Sequence, residues 1–482
     1  MAKGVGQLAG FGTILGQRAG CLAQVTDGQG CNRLRFGPDL RPETQINFVR
    51  AGLGLIDRVI YRAACRREPE AGQFNGGFGQ NVWRRNQGAV LDDVYVFSPQ
   101  FLMNARYSYT RYFQPNEPVS AGWDLTQYGF SSRFKDQIVN ADPRALRLPH
   151  IAIAGAPELS SANPSSSNAE VHSWAANFTR MLHGHTLRFG GEYRVYRNNN
   201  ISLGRSAGDL SYGNNWTRGP LDNSPGAPTG QGLASFLLGL PTSGYIQSND
   251  SLAQQAQVPS LYFQDDWKIT ARLTLNLGLR YELDLPLTER FNRSVRGFDA
   301  NAALPIAAAA QANYAQNPIP DVPPSQFRVR GGLTFAGVDG QPRTLWEADK
   351  GDLAPRIGLA YQLNPRTAIR AGYGFFYDLD RQNVNQTGFS RQTALVPTLD
   401  NGLSFIASSA DPFPSGWALA NGKTDGVMTY VGQGISFFNP KLLSPYMQRW
   451  QAGVQREIAR QTVMEVAYVG NKGIRIRTGR AL

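Results

Sequence analysis

The chain has 482 residues, a formal net charge of +12 and a sequence pI near 9.7. Mean hydropathy is −0.34, and no run of 18 apolar residues occurs. That excludes a membrane-spanning helix but not a strand-built membrane protein, in which apolar and polar residues alternate and the average looks ordinary. The arginines do not gather into one arm or helix (Arg66-Arg67 and Arg84-Arg85 are isolated pairs), so no nucleic-acid partner is expected.

Residues 1–78 show no strict alternation and receive no functional assignment; they read as an altered start of the chain. Met1–Gly20 is broken by Gln7, Gln17 and Arg18 and is not a clean export signal. Arg18-Ala19-Gly20-Cys21 has an arginine where a lipoprotein cleavage site needs an aliphatic residue. Cys21, Cys31 and Cys65 match no zinc or CxxC spacing.

From residue 79 the pattern changes to long hairpins. The first is Val82–Phe113, turning at Phe97-Ser98-Pro99-Gln100, with Phe101, Met103, Ala105, Tyr107 and Tyr109 on one face of the return strand. A loop rich in Pro, Ser and Asn runs from Gln114 to about Ala169. The second hairpin is Glu170–Arg197, turning at His183-Gly184-His185. After the loop 198–230, Leu233–Leu240 reads as one or two helical turns stopped by Pro241, and Thr242–Ser248 as a strand. The third hairpin, Leu261–Leu285, has the strictest alternation. Leu273, Leu275, Leu277, Leu279, Tyr281, Leu283 and Leu285 share one face, and Thr274, Asn276, Gly278, Arg280, Glu282 and Asp284 the other. A loop from Pro286 to about Asp352 holds the alanine-rich Ala302–Ala310. The fourth hairpin turns at Asn364-Pro365-Arg366, and the fifth is Ser444–Gly470, after the loop 379–443.

Long strands, short turns at one end and long loops at the other predict an all-β, antiparallel transmembrane β-barrel portion over residues 79–476, with about 11 strands, periplasmic turns and extracellular loops. Residues 477–482 read as a truncated end. A charge facing lipid at mid-membrane costs on the order of 2–4 kcal/mol, so charges hold one parity. Arg188, Glu192, Arg194, Arg280, Glu282, Asp284, Arg356, Arg370 and Asp378 are expected to face the lumen, where they contact substrate, or hydrate a pore and pair with a plug. Trp174, Trp267, Tyr281, Tyr373, Tyr377, Trp450 and Tyr468 are expected at the lipid interface.

No arrangement points to catalysis. Asp265 and Asp266 are adjacent on a strand, so they point to opposite faces and do not share a ligand. His183 and His185 bracket a turn glycine and supply only two ligands for a metal; His150 and His172 stand alone. Gly76-Gly77-Phe78-Gly79 lacks the strand and helix of a phosphate loop, and no HExxH, GxSxG or Walker lysine occurs. No enzyme activity, metal or cofactor is expected.

The stretches Tyr262-Phe263-Gln264-Asp265-Asp266-Trp267 and Leu273–Glu282 resemble the barrel of TonB-dependent receptors. Ser444-Pro445-Tyr446-Met447-Gln448-Arg449-Trp450, Gly453–Arg456 and Val466–Gly473 resemble its Oar-like branch, as do Arg84-Arg85-Asn86, Phe97-Ser98-Pro99 and Asp352–Gly358. That branch usually carries a carboxypeptidase-regulatory-like domain. The resemblance covers roughly residues 80–475. It implies a barrel of 22 strands, a plug, a TonB box and coupling to the TonB system. No plug, TonB box or regulatory domain is recognisable before Val82, and the end Gly479–Leu482 lacks a terminal aromatic, so the chain reads as a barrel fragment. The expected function is outer-membrane uptake of an extracellular ligand, with outer-membrane lipid as its surroundings. A passive porin-like or adhesion barrel and a soluble carbohydrate-binding β-protein are the alternatives.

Overall fold

The computed structural model describes residues 63–66, 79–160, 162–218, 231–378 and 387–476. All fall in the larger of two compact units, Gln45–Leu482; the smaller, Met1–Thr44, lies outside the described residues, as do Cys21, Cys31, Gly76–Phe78 and 477–482.

In chain order the strands are β1 (Ala63–Arg66), β2 (Gln80–Ser98), β3 (Phe101–Pro118), β4 (His150–Ile153), β5 (Ser165–Leu182), β6 (His185–Ser202), β7 (Asp209–Tyr212), β8 (Ser243–Asn249) and β9 (Leu252–Lys268). Then come β10 (Leu273–Glu282), β11 (Leu285–Glu289), β12 (Val295–Ala303), β13 (Arg330–Phe335), β14 (Leu353–Asn364), β15 (Thr367–Tyr377), β16 (Ser390–Ala394), β17 (Tyr446–Ala459) and β18 (Thr462–Ile474). The helices are α1 (Ser132–Ala141), α2 (Gln231–Leu237) and α3 (Ala307–Gln316). Among the described residues no helix is long and apolar enough to cross a membrane.

The principal sheet runs β1-β2-β3-β5-β6-β9-β10-β14-β15-β17-β18, every pair antiparallel. All five expected hairpins are present in it, and no pairing joins β1 to β18 among the described residues, so the sheet is open. The chain before Val82 adds β1, which pairs with Trp83–Asn86 and was not anticipated. Tyr281 pairs with Leu261 and Leu285 with Gln257, one continuous register, so β10 and β11 are one strand interrupted at Leu283-Asp284.

The register fixes the strand tilt. Paired residues lead from Phe101, the turn-side end of β3, through Arg180, Leu187, Asp265, Leu277, Ile357 and Tyr373 to Trp450. Trp450 stands nine residues before Ala459, the turn-side end of β17, and the path takes seven strand steps. At about 3.3 Å per residue and about 4.8 Å between strands, that stagger inclines the strands by about 40°, within the range of about 35–45° found in membrane barrels.

Most of the sheet's large apolar side chains are exposed or half-buried, and its buried ones, such as Val195 and Val258, lie toward the loop ends of their strands. Leu261 is 65% exposed, Phe263 49% and Val466 63%. The core lies in the loops, whose folded elements go beyond the helical turns and the strand expected between the second and third hairpins. In α1, Ser131 caps the helix by accepting from the Phe134 N–H at 3.2 Å, and Phe134 and Ile138, one turn apart, are both fully buried. They cluster with Leu210, Tyr212, Ile246 and Phe413, so the cluster draws on three connections. A second sheet, β16-β8-β7-β4, threads this layer; its β4–β7 pair is parallel, a departure from the all-antiparallel expectation. The helical turns expected at Leu233–Leu240 are α2, and the expected strand at Thr242–Ser248 is β8, which serves this second sheet. The alanine-rich stretch enters α3 at Ala307. His150 does not stand alone: burial sets it between Asp209 (Nδ1, 2.9 Å) and Glu158 (Nε2, 3.2 Å).

Candidate functional site

Register assigns every strand residue to one of two faces. Ser173 of β5, Glu192 and Arg194 of β6, Ser260 of β9, and Arg280 and Glu282 of β10 share the polar face, and adjacent pairing brings them into one strip. Arg194 holds both oxygens of Glu192 in a bidentate pair, and Ser173 Oγ donates to Glu192 Oε1 at 2.8 Å. Arg280 donates to Glu282 at 2.8 Å and to Ser260 Oγ at 3.0 Å, and lies 3.8 Å from Glu192. The strip is half-buried, so these charge-assisted bonds fix the side chains more firmly than fully hydrated pairs would.

A second group lies nearer the turns. Asp266 accepts from Arg188 at 2.9 Å, from Gln264 at 3.2 Å and from Asn276 at 2.6 Å. Beside it, the Tyr262 hydroxyl reaches over Gly190 to Asn177 at 2.8 Å. A Cβ on Gly190 would stand 2.2 Å from the Ala176 carbonyl oxygen, so only glycine fits against the β5 backbone there. On β2 and β3, Asp92 accepts from Arg106 and Asn104, each at 2.6 Å.

Of the charges singled out in the sequence, Glu192, Arg194, Arg280 and Glu282 therefore meet, and Arg188 belongs to the neighbouring group. Arg356 shares the face but packs its guanidinium over Phe376 at 4.7 Å. Arg370 keeps the same parity, apart from both groups. Asp284 lies in the interruption between β10 and β11, and Asp378 just beyond β15, where its backbone N–H donates to Pro445 at 2.9 Å. Asp92, Ser173 and Ser260 were missed. Parity was the available signal, but Asp92-Asp93 puts a carboxylate on each face and blurs it.

The other face carries the aromatics. His185 stacks on Trp267 at 5.1 Å and binds Asp265 at 2.7 Å, so His185 is the first residue of β6 and not part of the turn. Asp265 and Asp266 do point to opposite faces. Trp174 stacks on Tyr193 at 5.8 Å, and Tyr107 hydrogen-bonds His172 at 2.9 Å. The row of Trp174 and Tyr193 meets β9 at Pro259, eight residues from Trp267. That is about 26 Å along the strand, or roughly 20 Å across the band at the tilt above. Beyond it the same face turns polar at Arg111, Glu170 and Arg197. An apolar band about 25 Å tall between aromatic girdles is what an outer-membrane barrel presents to lipid.

A family model described as an outer membrane beta barrel domain matches residues 54–482. The chain belongs to that family. An outer-membrane β-barrel domain resides in the cell outer membrane, which removes the soluble carbohydrate-binding alternative. No curated protein sequence matches the chain. Among solved structures, the copper transporter OprC is similar at 10% identity over 79% of this chain and 38% of that one (TM-score 0.34). The ferric yersiniabactin uptake receptor FyuA from Yersinia pestis matches at 9% identity over 82% and 36% (TM-score 0.35). The Serratia marcescens hemophore receptor HasR, in complex with its hemophore HasA and heme, matches at 11% over 82% and 40% (TM-score 0.34). The chain spans about two-fifths of the length of these receptors.

Where the loop layer of this β-barrel domain meets the sheet, Asp352 is fully buried. Its carboxyl accepts from Ser444 Oγ at 2.6 Å, while Asp349 alongside binds the Ser444 N–H at 3.0 Å and Arg475 at 3.5 Å. Burial pushes the Asp352 carboxyl up to about 6; Ser444 opposes the shift and Asp349 adds to it.

Proposed function

We propose that this chain forms part of the wall of a TonB-dependent outer-membrane receptor of the Oar-like branch, which takes up an extracellular ligand. The observation that carries the reading is the ordered strip Glu192–Arg194–Arg280–Glu282, which spans adjacent strands on the face opposite the apolar band. Fixed, half-buried charges suit a surface that contacts a plug or a passing ligand, whereas a water-filled pore needs only hydrated ones. In this reading the short turns lie in the periplasm and the folded loops meet the ligand outside. The motifs around Tyr262–Glu282 support the receptor class and those around Ser444–Gly473 the branch, and the TonB system is its energy source.

The test compares spent growth medium from three strains: wild type, one with this gene disrupted and one lacking TonB. The expected result is a compound left unconsumed by both mutants. A compound that the gene disruption alone leaves behind would overturn the coupling to TonB and favour a passive barrel.

A further inference from the structure

We propose that the apolar face carries a binding site for one phosphate-bearing anionic membrane lipid, with an acyl chain in the groove over Ala105, Ala176 and Gly191 and the phosphate between Arg111 and Arg197. This rests on reading that face as lipid-facing.

The groove has a volume of about 820 Å³. Its floor is three residues paired side by side, Ala105 with Ala176 and Ala176 with Gly191. On the loop side it is walled by Tyr107, Trp174 and Tyr193. On the turn side the next row of the same face is Met103, Phe178 and Phe189, with the two phenylalanine rings stacked at 5.3 Å. Small residues between two large rows make a trough across three strands. Backbone packing does not demand it: a Cβ at Gly191 would meet the flexible end of Leu261 at 2.9 Å and the Ser260 carbonyl at 3.3 Å, tight contacts that a small shift relieves. The trough is a shape that the apolar face holds open, and a hydrocarbon chain fits its chemistry.

Charge sets the orientation of the occupant. Toward the loops, the same face gathers Arg111, Arg197 and Arg85 around Glu170, which pairs with Arg111 at 3.5 Å. Among the described residues Arg197 binds the neutral Gln255, at 3.2 Å, and Arg85 rests over Trp83 at 5.3 Å. The net positive patch begins four residues beyond Trp174 along β5, about 13 Å, a separation that flexible arginines and a lipid headgroup bridge together. At the β2 end of the floor row, Asp93 is paired with Ala105 on the apolar face and repels an anionic group from the trough itself. Guanidinium forks bind phosphate bidentately, so an anionic headgroup is drawn to the loop end and the chain lies toward the turns.

The test uses the full chain in nonionic detergent with phosphatidylglycerol as probe and native mass spectrometry as readout. One retained phosphatidylglycerol per chain is expected. Ala176→Phe, which fills the groove, and the double variant Arg111→Gln/Arg197→Gln should each weaken it about tenfold, and free inorganic phosphate should not displace it. Unchanged affinity in both variants, or full displacement by inorganic phosphate, overturns the site. The double variant lies outside the apolar band and keeps the test informative if Ala176→Phe does not fold. Quenching of tryptophan fluorescence by excess brominated phosphatidylcholine tests the face separately. Its absence overturns the lipid-facing reading, whereas quenching with unaltered phosphatidylglycerol affinity in the variants overturns only the site.

Discussion

In the principal sheet Leu261, Leu279 and Ile357 stand 65%, 44% and 52% exposed; in the loop layer Leu210, Ile246 and Phe134 are fully buried. The two regions draw on the same residue types, but the sheet turns its apolar side chains outward and the loops turn theirs inward. The difference is one of solvent. A bilayer replaces water around the sheet, so burial against protein is unnecessary there and backbone pairing holds the strands. The loop layer meets water and needs a conventional core. The sheet is therefore governed by parity and register, and the loops by packing.

That contrast can be broken by matched deletions. Phe134→Ala should destabilise the loop layer by about 3–5 kcal/mol, read as lost amide-exchange protection around α1 and β7, with β9 and β10 unchanged. Equal loss in the sheet would mean that the regions are not separable. Phe263→Arg, midway between the Pro259 and Trp267 rows, should leave the loop layer intact yet cost about 2–4 kcal/mol of sheet stability in lipid vesicles, measured by urea titration; an effect confined to the loops would reverse the assignment of the apolar face.

The junction sharpens the comparison. The Asp352 carboxyl is raised to about 6, so its contribution to stability is present when it is protonated and is lost as pH rises from about 4 through 6. Asp352→Asn should therefore stabilise the junction at pH 8 by about 3 kcal/mol and flatten the pH dependence of amide exchange around Ser444. A pH profile identical to wild type would sink the assignment. The smallest effect is expected at Leu403, 89% exposed on the loop surface: Leu403→Ser should change stability by less than about 0.5 kcal/mol in the same denaturation assay.

The five hairpins were legible because parity is a property of neighbouring residues: a strand has a period of two whatever it pairs with. Leu273–Glu282 declares both faces without a partner, and the face of Arg280 or Trp450 follows from local sequence alone. The loop layer was not legible. Its core joins Phe134, Tyr212, Ile246 and Phe413 across long separations, and its short strands β4 and β7 pair in parallel, with no period to announce them. His150 looked isolated because Asp209, its buried partner, is 59 residues away.

The sequence by itself determined which residues share a face, where the chain reverses, and that the strand charges and aromatics it singled out fall on opposite sides. Only the tertiary structure decided which charges meet. Glu192 and Arg280 are 88 positions apart, and their approach depends on β6 and β10 flanking β9 in a particular register. Slide that register by two residues and every parity is kept while the strip comes apart. Alternation is set by local backbone geometry; the strip is set by strand order and stagger.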